Sequence, residues 1–549
     1  MKHLEVDFAG HRAGSGPVTL GQGNVLEWIG EQEQERSDIL CRFVPVPPGR
    51  GLADIRASVA VLLARHESLR TTIQPGPPAT QHVIGSGTLV ADVRELAEED
   101  AESVLRERIM ATRFNFGRDL PFRVSIATRD GVPYLVALAL SHLAADYTSM
   151  QLLAGQFAAM LDDPAARIAG PAVPQPLDVA AQEAEPPARR RAASALRYWD
   201  TQLRRLPQSM FAMPTQGQPG SREAYFGSRK AGLALPATVE RTGVSHSTVL
   251  LAMAATLLAV RAGTSAAAVV SMCGNRFRPD MAAYVGTVAQ DALIPFDLGD
   301  STVDDTIRAV RLATMNSYRY GKFDAKGLWP ILDAIATNRG TRFHRDCVVN
   351  DVSATMEDRT VLSDEGQDSS RFVWLPQTFY PVACLFTVLS AGSHLQVALY
   401  GDTRYLPEAD IEGVLRGLEA LVVASAAGPV PISEVSAITG VVAVERGEGW
   451  VQHEYGWVEL AAVRRLLADV LPGAASGVFF VDGELVAYLA PEEPVSPKQL
   501  HNDCVAALYG RYSTITPGRY VICAGAPEAL DSHTAWMDRP VVYSGTGRD

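Results

Sequence analysis

Residues 135–150 read Leu-Val-Ala-Leu-Ala-Leu-Ser-His-Leu-Ala-Ala-Asp-Tyr-Thr-Ser-Met, and this stretch decides how the rest of the chain is interpreted. Together with Tyr134, its first half has no charge on either face, which is typical of a strand buried on both sides. The apolar positions that follow recur at helical spacing: Met150, Leu153, Phe157, Met160 and Leu161. The sequence therefore predicts a buried strand, a tight connection and a helix that Thr148 or Ser149 caps.

The predicted connection carries His142, with Asp146 four residues later. An imidazole titrates near neutrality, so this side chain can act as a base or as a neutral hydrogen-bonding group. A buried carboxylate at Asp146 needs a cationic partner. The alternative is that His142 is a satisfied core histidine and Asp146 a helix cap, and the local sequence leaves both interpretations open.

Residues 141–147, Ser-His-Leu-Ala-Ala-Asp-Tyr, resemble the HHxxxDG motif of nonribosomal peptide synthetase condensation domains, which are relatives of chloramphenicol acetyltransferase. His142 and Asp146 match the second histidine and the aspartate, whereas Ser141 and Tyr147 replace the first histidine and the glycine. The resemblance implies that His142 is the catalytic group, facing a tunnel where two substrates meet. It also implies that Asp146 is structural and pairs with an arginine.

Other segments resemble motifs of the same family. Residues 16–22, followed by Leu26 and Trp28, resemble its opening motif, and residues 198–207 resemble its YWxxxLxGLP element. Residues 65–72, Arg-His-Glu-Ser-Leu-Arg-Thr-Thr, match its RHExLRT motif after a segment with helical periodicity, and we expect those charges to be structural. Residues 274–279 match its Asn-Arg-x-Arg-Pro segment. They make Arg276 the candidate partner of Asp146, in a salt bridge between two lobes.

The resemblance also implies which residues line the substrate tunnel: Ser141, Tyr147, Gln290, Asp291 and Asn350. Gln290 or Asp291 stands where the family's IGxFVNT segment has its asparagine. Residues 318–324 keep little of the family's His-x-Asp-x-Pro-Phe motif beyond Phe323.

The fold that the resemblance implies is α/β, with two chloramphenicol acetyltransferase-like lobes that form a V around a central tunnel, plus a small C-terminal α+β domain. We expect an N-terminal lobe over residues 1–163, a linker over 164–192 and a C-terminal lobe over 193–436. Residues 447–549 resemble the small C-terminal subdomain of adenylation domains. They include a hairpin through Asp482-Gly483 and a helix that starts at Ser496. The catalytic lysine of that subdomain is missing, so a docking or stabilising role is expected rather than ATP chemistry.

Composition narrows the function classes further. The chain has 549 residues and a formal net charge of -13, which argues against a nucleic-acid or anionic-membrane partner. Its six cysteines are scattered without a CxxC pair, so they are interpreted as reduced thiols of a soluble cytoplasmic protein and not as metal ligands. No GxSxG, Walker or HExxH motif is present.

The sequence therefore predicts an acyltransferase of natural-product biosynthesis. It would join an acyl or aminoacyl thioester to an amine, or to a hydroxyl, and so form an amide or an ester without a covalent enzyme intermediate. No cofactor of its own is expected, because the resemblance implies substrates on the 4′-phosphopantetheine of a carrier protein supplied in trans. Two alternatives remain: a catalytically silent condensation-like recruitment protein, which the changes at Ser141, Tyr147 and Gln290 favour, and a coenzyme A-dependent acyltransferase.

Overall fold

The computed structural model describes residues 2–30, 39–163, 173–353, 370–377 and 379–548. The chain divides into two compact units. The first unit contains residues 1–195, 273–290 and 321–326, and the second contains residues 196–272, 291–320 and 327–549. Two short segments from the second half of the sequence, 273–290 and 321–326, therefore belong to the first unit.

The first unit contains eight strands and five helices among its described residues, and a sixth helix runs from it into the second unit. The strands are β1 (Lys2–Ala9), β2 (Gly14–Pro17), β3 (Ile39–Pro45), β4 (Thr71–Gln74), β5 (Thr80–Val83), β6 (Ser86–Glu95), β7 (Phe122–Arg129) and β8 (Val132–Ser141). The helices are α1 (Leu20–Gly30), α2 (Leu52–Arg65), α3 (Glu98–Met110), α4 (Tyr147–Asp162), α5 (Pro176–Ala184) and α6 (Pro186–Leu203).

Five strands of this unit form a mixed sheet in the order β1-β6-β7-β8-β3, and a smaller sheet has the order β2-β5-β4. β8 pairs antiparallel with β7 on one side and with β3 on the other. The turn that joins β7 to β8 contains Asp130 and Gly131, at φ of 52° and 77°. Residues 135–141 of β8 are all buried, and α2 buries Ile55 and Val59. The predicted buried strand and the helix before the RHExLRT-like motif are thus confirmed.

The stretch predicted as a linker contains α5 and the first part of α6, while its residues 164–172 lie outside the described residues. Arg189, Arg190 and Arg191 lie exposed on α6. These residues form helices and not an open linker because each helix has an apolar face to bury. α5 buries Val179 and Ala180, and α6 buries Ala195 and Trp199.

Among the described residues up to 439, the second unit adds seven strands and six helices. The strands are β9 (Ser221–Ser228), β10 (Ala266–Cys273), β11 (Gln290–Asp297), β12 (Cys347–Asp351), β13 (Arg371–Trp374), β14 (Cys384–Ala391) and β15 (Leu395–Asp402). The helices are α7 (Arg229–Thr242), α8 (His246–Ala262), α9 (Val303–Arg319), α10 (Ala325–Arg339), α11 (Glu408–Ala427) and α12 (Val435–Thr439). The strands form one sheet in the order β11-β10-β12-β14-β15-β9-β13. α8 is apolar all round and almost fully buried in the core of this unit.

Residues 450–545 complete the second unit with two further sheets. Their strands are β16 (Trp450–His453), β17 (Gly456–Glu459), β18 (Ala475–Val481), β19 (Glu484–Ala490), β20 (Arg519–Cys523) and β21 (Val541–Gly545). Their helices are α13 (Leu460–Val470), α14 (Pro497–Ala506) and α15 (His533–Met537). The hairpin of β18 and β19 turns through Asp482 and Gly483, at φ of 51° and 83°, and the hydroxyl of Ser496 accepts a hydrogen bond from the amide of Gln499. Both local predictions for this region are confirmed.

This C-terminal region packs against the rest of its unit through buried polar contacts. The imidazole Nε2 of His501 lies 2.7 Å from the carbonyl oxygen of Thr337. The indole of Trp457 donates to the carbonyl of Gly263 at 2.9 Å. The amide of Gln208 donates to the carbonyl of Tyr512 at 2.9 Å.

Among the described residues, no single helix combines the length and hydropathy needed to cross a bilayer; only α7 and α8 taken together, with a bend of 101° between them, meet that test. All six cysteines carry free thiols, and five of them are buried.

Candidate active site

His142 lies in the tight turn that joins β8 to α4 and is half-buried. The turn closes where the carbonyl of Ser141 accepts hydrogen bonds from the amides of Ala144 (2.9 Å) and Ala145 (3.3 Å). The hydroxyl of Ser141 also accepts a bond from the amide of Leu143 at 3.3 Å. Because a buried strand precedes the turn and a buried helix follows it, the backbone around His142 is held on both sides.

Asp146, not Thr148 or Ser149, is the N-cap of α4. Its backbone is extended (φ -89°, ψ 178°), and its carboxylate Oδ1 accepts the amide of Ser149 at 2.9 Å. The predicted cap was therefore wrong by two or three residues. The reason is that the helix begins at Tyr147, where an aspartate directly before it can satisfy an otherwise unpaired amide.

Asp146 also forms the predicted salt bridge with Arg276, whose Nη2 lies 2.7 Å from Oδ1. The side chains are 3% and 10% exposed, so this is a buried pair with little competition from water. However, the bridge does not join two lobes as predicted. Both residues belong to the first unit, because residues 273–290 leave the second unit and pack into the first.

Arg276 also donates to the backbone of its own segment. Nη1 donates to the carbonyls of Met281 (3.1 Å) and Tyr284 (2.7 Å), and Nη2 also approaches the hydroxyl of Ser149 at 2.8 Å. The second carboxylate oxygen of Asp146 accepts the amide of Val288 at 3.2 Å. The ion pair thus fastens an irregular stretch of backbone, residues 281–288, to the start of α4.

The same stretch lies against α1 on another side. A Cβ atom added at Gly21 would come within 2.2 Å of the carbonyl oxygen of Thr287, so only glycine fits there. Gln22 and Thr19 cap the helix reciprocally, with the Thr19 amide donating to the Gln22 side chain at 2.8 Å and the Gln22 amide donating to the Thr19 hydroxyl at 3.1 Å. The Gly-Gln pair of the opening motif therefore shapes this close approach.

The other residues assigned to the substrate tunnel are divided between the two units. Tyr147, the first residue of α4, and Gln290 belong to the first unit; Asp291 and Asn350 belong to the second. The side-chain amide of Gln290 is fully buried. Its nitrogen donates to the backbone carbonyl of Phe323 at 2.8 Å, and its oxygen accepts from the backbone amide of Phe323 at 3.4 Å. A substrate contact through Gln290 would require it to give up these bonds.

In the second unit, Asp291 forms an ion pair with Arg345, whose Nη2 donates to Oδ1 at 2.9 Å. Asn350 lies half-buried in β12, opposite Thr387 of β14. The Arg345 partner of Asp291 was not recognised in the sequence, because residues 54 positions apart carry no local pattern that links them.

The charges of the RHExLRT-like segment are structural. Arg70 is 1% exposed, and its guanidinium donates to the carbonyls of Leu63, Arg12 and Ile84 at 2.6–3.0 Å. Glu67 pairs with Arg12 at 2.8 Å. Burial lowers the pKa of His66 to about 4, so this imidazole stays neutral and pairs with Gln156 at 2.7 Å. His66 therefore differs from a histidine placed for proton transfer at neutral pH.

No group of three or more His, Cys, Asp or Glu side chains within the described ranges could hold a metal ion. What the His142 turn offers chemically is one imidazole on a rigid connection, beside a buried carboxylate that is already neutralised by arginine. Such an imidazole can accept a proton from an attacking nucleophile or donate a hydrogen bond to a developing oxyanion.

The family profile of the condensation domain matches residues 52–355, which is more than half of the chain. The chain belongs to the condensation domain family. The match includes β8, His142, Asp146, Arg276 and Asn350.

Solved structures share this α/β fold at low sequence identity. The SgcC5 protein of Streptomyces globisporus aligns with a TM-score of 0.57 at 16% identity, over 76% of this chain and 100% of that one. The X-domain from teicoplanin biosynthesis aligns with a TM-score of 0.60 at 18% identity, over 78% and 98%. The first condensation domain of the CDA synthetase aligns with a TM-score of 0.58 at 17% identity, over 77% and 98%.

Among curated proteins, a probable non-canonical nonribosomal peptide synthetase, CymA of Salinispora arenicola (strain CNS-205), is 32% identical over 109 residues. That match covers 19% of this chain and 1% of CymA, so it concerns a very small part of a much longer protein.

Proposed function

We propose that this chain is an acyltransferase of the condensation type. It joins an acyl or aminoacyl group, delivered as a thioester on the phosphopantetheine arm of a carrier protein, to an amine or hydroxyl acceptor. The observation that carries this proposal is the fixed turn bearing His142, with the buried pair of Asp146 and Arg276 at its end. Membership of the condensation domain family supports the same reaction class.

In the proposed reaction the acceptor nitrogen or oxygen attacks the thioester carbonyl carbon. The C–S bond breaks, and the carrier thiol leaves with a proton. His142 takes the acceptor's proton or hydrogen-bonds the oxyanion, and no covalent bond to the protein forms. A thioester is already activated, so alignment of the two reactants can supply about 7 to 11 kcal/mol and a positioned acid–base group about 10²- to 10⁴-fold in rate.

Both amines and hydroxyls are candidate acceptors. The structure of SgcC5 that resembles this fold was determined with a diol, (R)-(-)-1-(2-naphthyl)-1,2-ethanediol, a molecule that carries two hydroxyl groups. The fold therefore accommodates hydroxyl-bearing molecules in a relative, and ester formation belongs in the same test as amide formation. A cytoplasmic setting fits the proposal, because six free thiols suit a reducing compartment.

A second candidate function is recruitment of another protein without catalysis. It is favoured by Ser141 and Tyr147, which replace two positions of the HHxxxDG motif, and by the structure of a similarly folded X-domain in complex with OxyB. In that case His142 would be a satisfied histidine of the turn, and the Asp146–Arg276 pair would serve stability alone.

The test offers the full chain a panel of acyl and aminoacyl groups in two forms, loaded on holo carrier proteins and on coenzyme A, with amine and alcohol acceptors. Products are measured by mass spectrometry. New amide or ester from the carrier-loaded form supports the proposal, and product from coenzyme A thioesters alone would reassign the donor. No product in any arm, together with stable binding of a partner protein, would favour recruitment.

A further inference from the structure

Ser149 belongs to the buried cluster of Asp146 and Arg276 beside the His142 turn, and it is the member that the sequence gives least reason to expect. It lies in the first turn of α4 and is fully buried. Its hydroxyl donates to the carbonyl of Gly286 at 2.7 Å. It accepts hydrogen bonds from the amide of Gly286 at 3.0 Å and from Nη2 of Arg276 at 2.8 Å. One donor and two acceptor positions are the full capacity of a hydroxyl group, so Ser149 has none left over.

The side chain of Ser149 bonds to both backbone groups of Gly286. Gly286 lies in an irregular stretch between the short 3₁₀ turn at residues 279–281 and β11, so no neighbouring strand supplies partners for its amide and carbonyl. Buried backbone groups without partners are costly, and a serine that satisfies both at once removes that cost. The carbonyl of Gly286 gains a further, longer contact of 3.2 Å from Arg276.

The neighbouring residues of this stretch are fixed in the same way. The ring of Tyr284 folds back so closely that a Cβ atom at Gly286 would lie 2.2 Å from its hydroxyl oxygen. The carbonyl of Thr287 faces Gly21 of α1, and the amide of Val288 is held by Asp146. Residues 284–288 are thus clamped between α1 and the first turn of α4, and Ser149 makes two of the clamping bonds.

We propose that Ser149 is a positioning residue for the condensation reaction. It fixes residues 284–290 against α4, and therefore at a set distance from the turn that carries His142, four residues before the helix cap Asp146. This inference rests on the proposed function, because it assigns Ser149 a part in that reaction. Ser149 acts through the backbone of Gly286 and is not itself expected to touch the substrate.

The test compares Ser149→Ala with Ser149→Thr, which keeps the hydroxyl, and with Thr148→Ala, which changes the preceding residue of the same helical turn. Two readouts are used: amide hydrogen exchange of residues 284–290 by mass spectrometry, and kcat and KM for carrier-dependent product formation. In Ser149→Ala we expect exchange in this segment to accelerate by about tenfold or more, because both hydrogen bonds from Ser149 to Gly286 are lost. We expect kcat to fall by a similar factor, with exchange elsewhere unchanged.

Thr148→Ala is expected to match the wild-type protein in both readouts, and Ser149→Thr to retain most of the protection and of kcat. Unchanged exchange at residues 284–290 in Ser149→Ala would overturn the claim that Ser149 holds this segment. Faster exchange with an unchanged kcat would overturn its part in the reaction. Absence of turnover in the wild-type protein would instead count against the proposed function, and the exchange data would then decide the structural claim by themselves.

Discussion

At the scale of single residues, Asp146 fills two roles that its sequence context presents as alternatives. It caps α4 through the amide of Ser149, and it pairs with Arg276 at 2.7 Å. The amide of Ser149 and Nη2 of Arg276 both bond to Oδ1, while Oδ2 accepts the amide of Val288, so one carboxylate fills both roles at once. This arrangement neutralises the negative charge of Asp146 near His142 and holds the carboxylate in place.

Replacement of Arg276 tests how much this pair contributes. Arg276→Ala leaves the carboxylate of Asp146 buried without its cation, and we expect the free energy of unfolding to fall by about 3 to 5 kcal/mol. The matched control is Arg278→Ala, two residues away, whose pair with Asp280 is exposed and whose loss should cost about 1 kcal/mol or less. Urea unfolding of both variants measures the difference. Equal destabilisation would contradict the role given to the buried pair.

Asp346 provides a second prediction at the residue scale. Its carboxyl is fully buried in the second unit, where it accepts bonds from the hydroxyl of Ser209 and, at 3.1 Å, from the amide of Met210. Burial raises the pKa of this carboxyl to about 7 from the ordinary value of 3.8. The folded state therefore holds a proton that the unfolded state releases near pH 4, and the resulting stability is lost as the pH rises through about 7.

We expect the free energy of unfolding to decline between pH 4 and pH 8 by up to about 4 kcal/mol on account of Asp346. Asp346→Asn cannot ionise and should flatten this decline, whereas Asp531→Asn, at a side chain that is 89% exposed, should leave it unchanged. Denaturant unfolding across this pH range measures the slope. A slope in Asp346→Asn as steep as in the wild-type protein would show that other groups cause it.

At the scale of elements, hydrophobic periodicity was enough to predict β8, α2 and α4, because each helix buries a regular face and the strand is buried on both faces. Contacts between residues far apart in the sequence were harder to predict. The Asp146–Arg276 pair could be predicted only through the family motif, and nothing in the local sequence shows that residues 273–290 pack into the first unit. The bonds of Ser149 to Gly286 span 137 positions and could not be predicted at all.

The N-terminal turn of α1 gives a prediction at this scale, because it contains two glycines in different surroundings. Gly21→Ala would press a methyl group against the carbonyl of Thr287, 2.2 Å away, and we expect a loss of about 1 to 3 kcal/mol in unfolding free energy. Gly23→Ala has no atom within 4 Å of the added carbon and should stabilise the helix by about 0.5 to 1 kcal/mol. Thermal unfolding of the two variants should therefore shift in opposite directions. A gain of stability in Gly21→Ala would contradict the close approach.

At the scale of the whole molecule, the C-terminal residues from β16 onward have cores of their own and yet are bonded to the rest of the second unit. His501, Trp457 and Tyr512 each take part in such a bond. We propose that the C-terminal residues stabilise the end of α10, which His501 contacts at Thr337, and the loop between α10 and β12, where the ring of His344 lies 4.7 Å from that of Tyr512. This is in keeping with the stabilising role expected from the sequence. The amide of Thr516 extends this contact by donating to the carbonyl of Gly340 at 2.8 Å.

His501→Ala tests this bracing. The change leaves the carbonyl of Thr337 without its imidazole partner, so we expect amide exchange in residues 337–346 to accelerate by about tenfold. His533→Ala is the control within the same region, because His533 contacts Tyr488 and Phe479 and not the earlier part of the unit. Equal exchange in the two variants would mean that the C-terminal residues do not brace this loop through His501.

The central claim is that the imidazole of His142 assists transfer of an acyl group from a carrier thioester. The most direct measurement is the single-turnover rate constant for product formation with pre-loaded carrier and saturating acceptor, in the wild-type protein and in His142→Ala. We predict a fall of about 10²- to 10⁴-fold in the variant, with the far-UV circular dichroism and unfolding midpoint preserved. A folded His142→Ala protein that forms product at the wild-type rate would contradict the account.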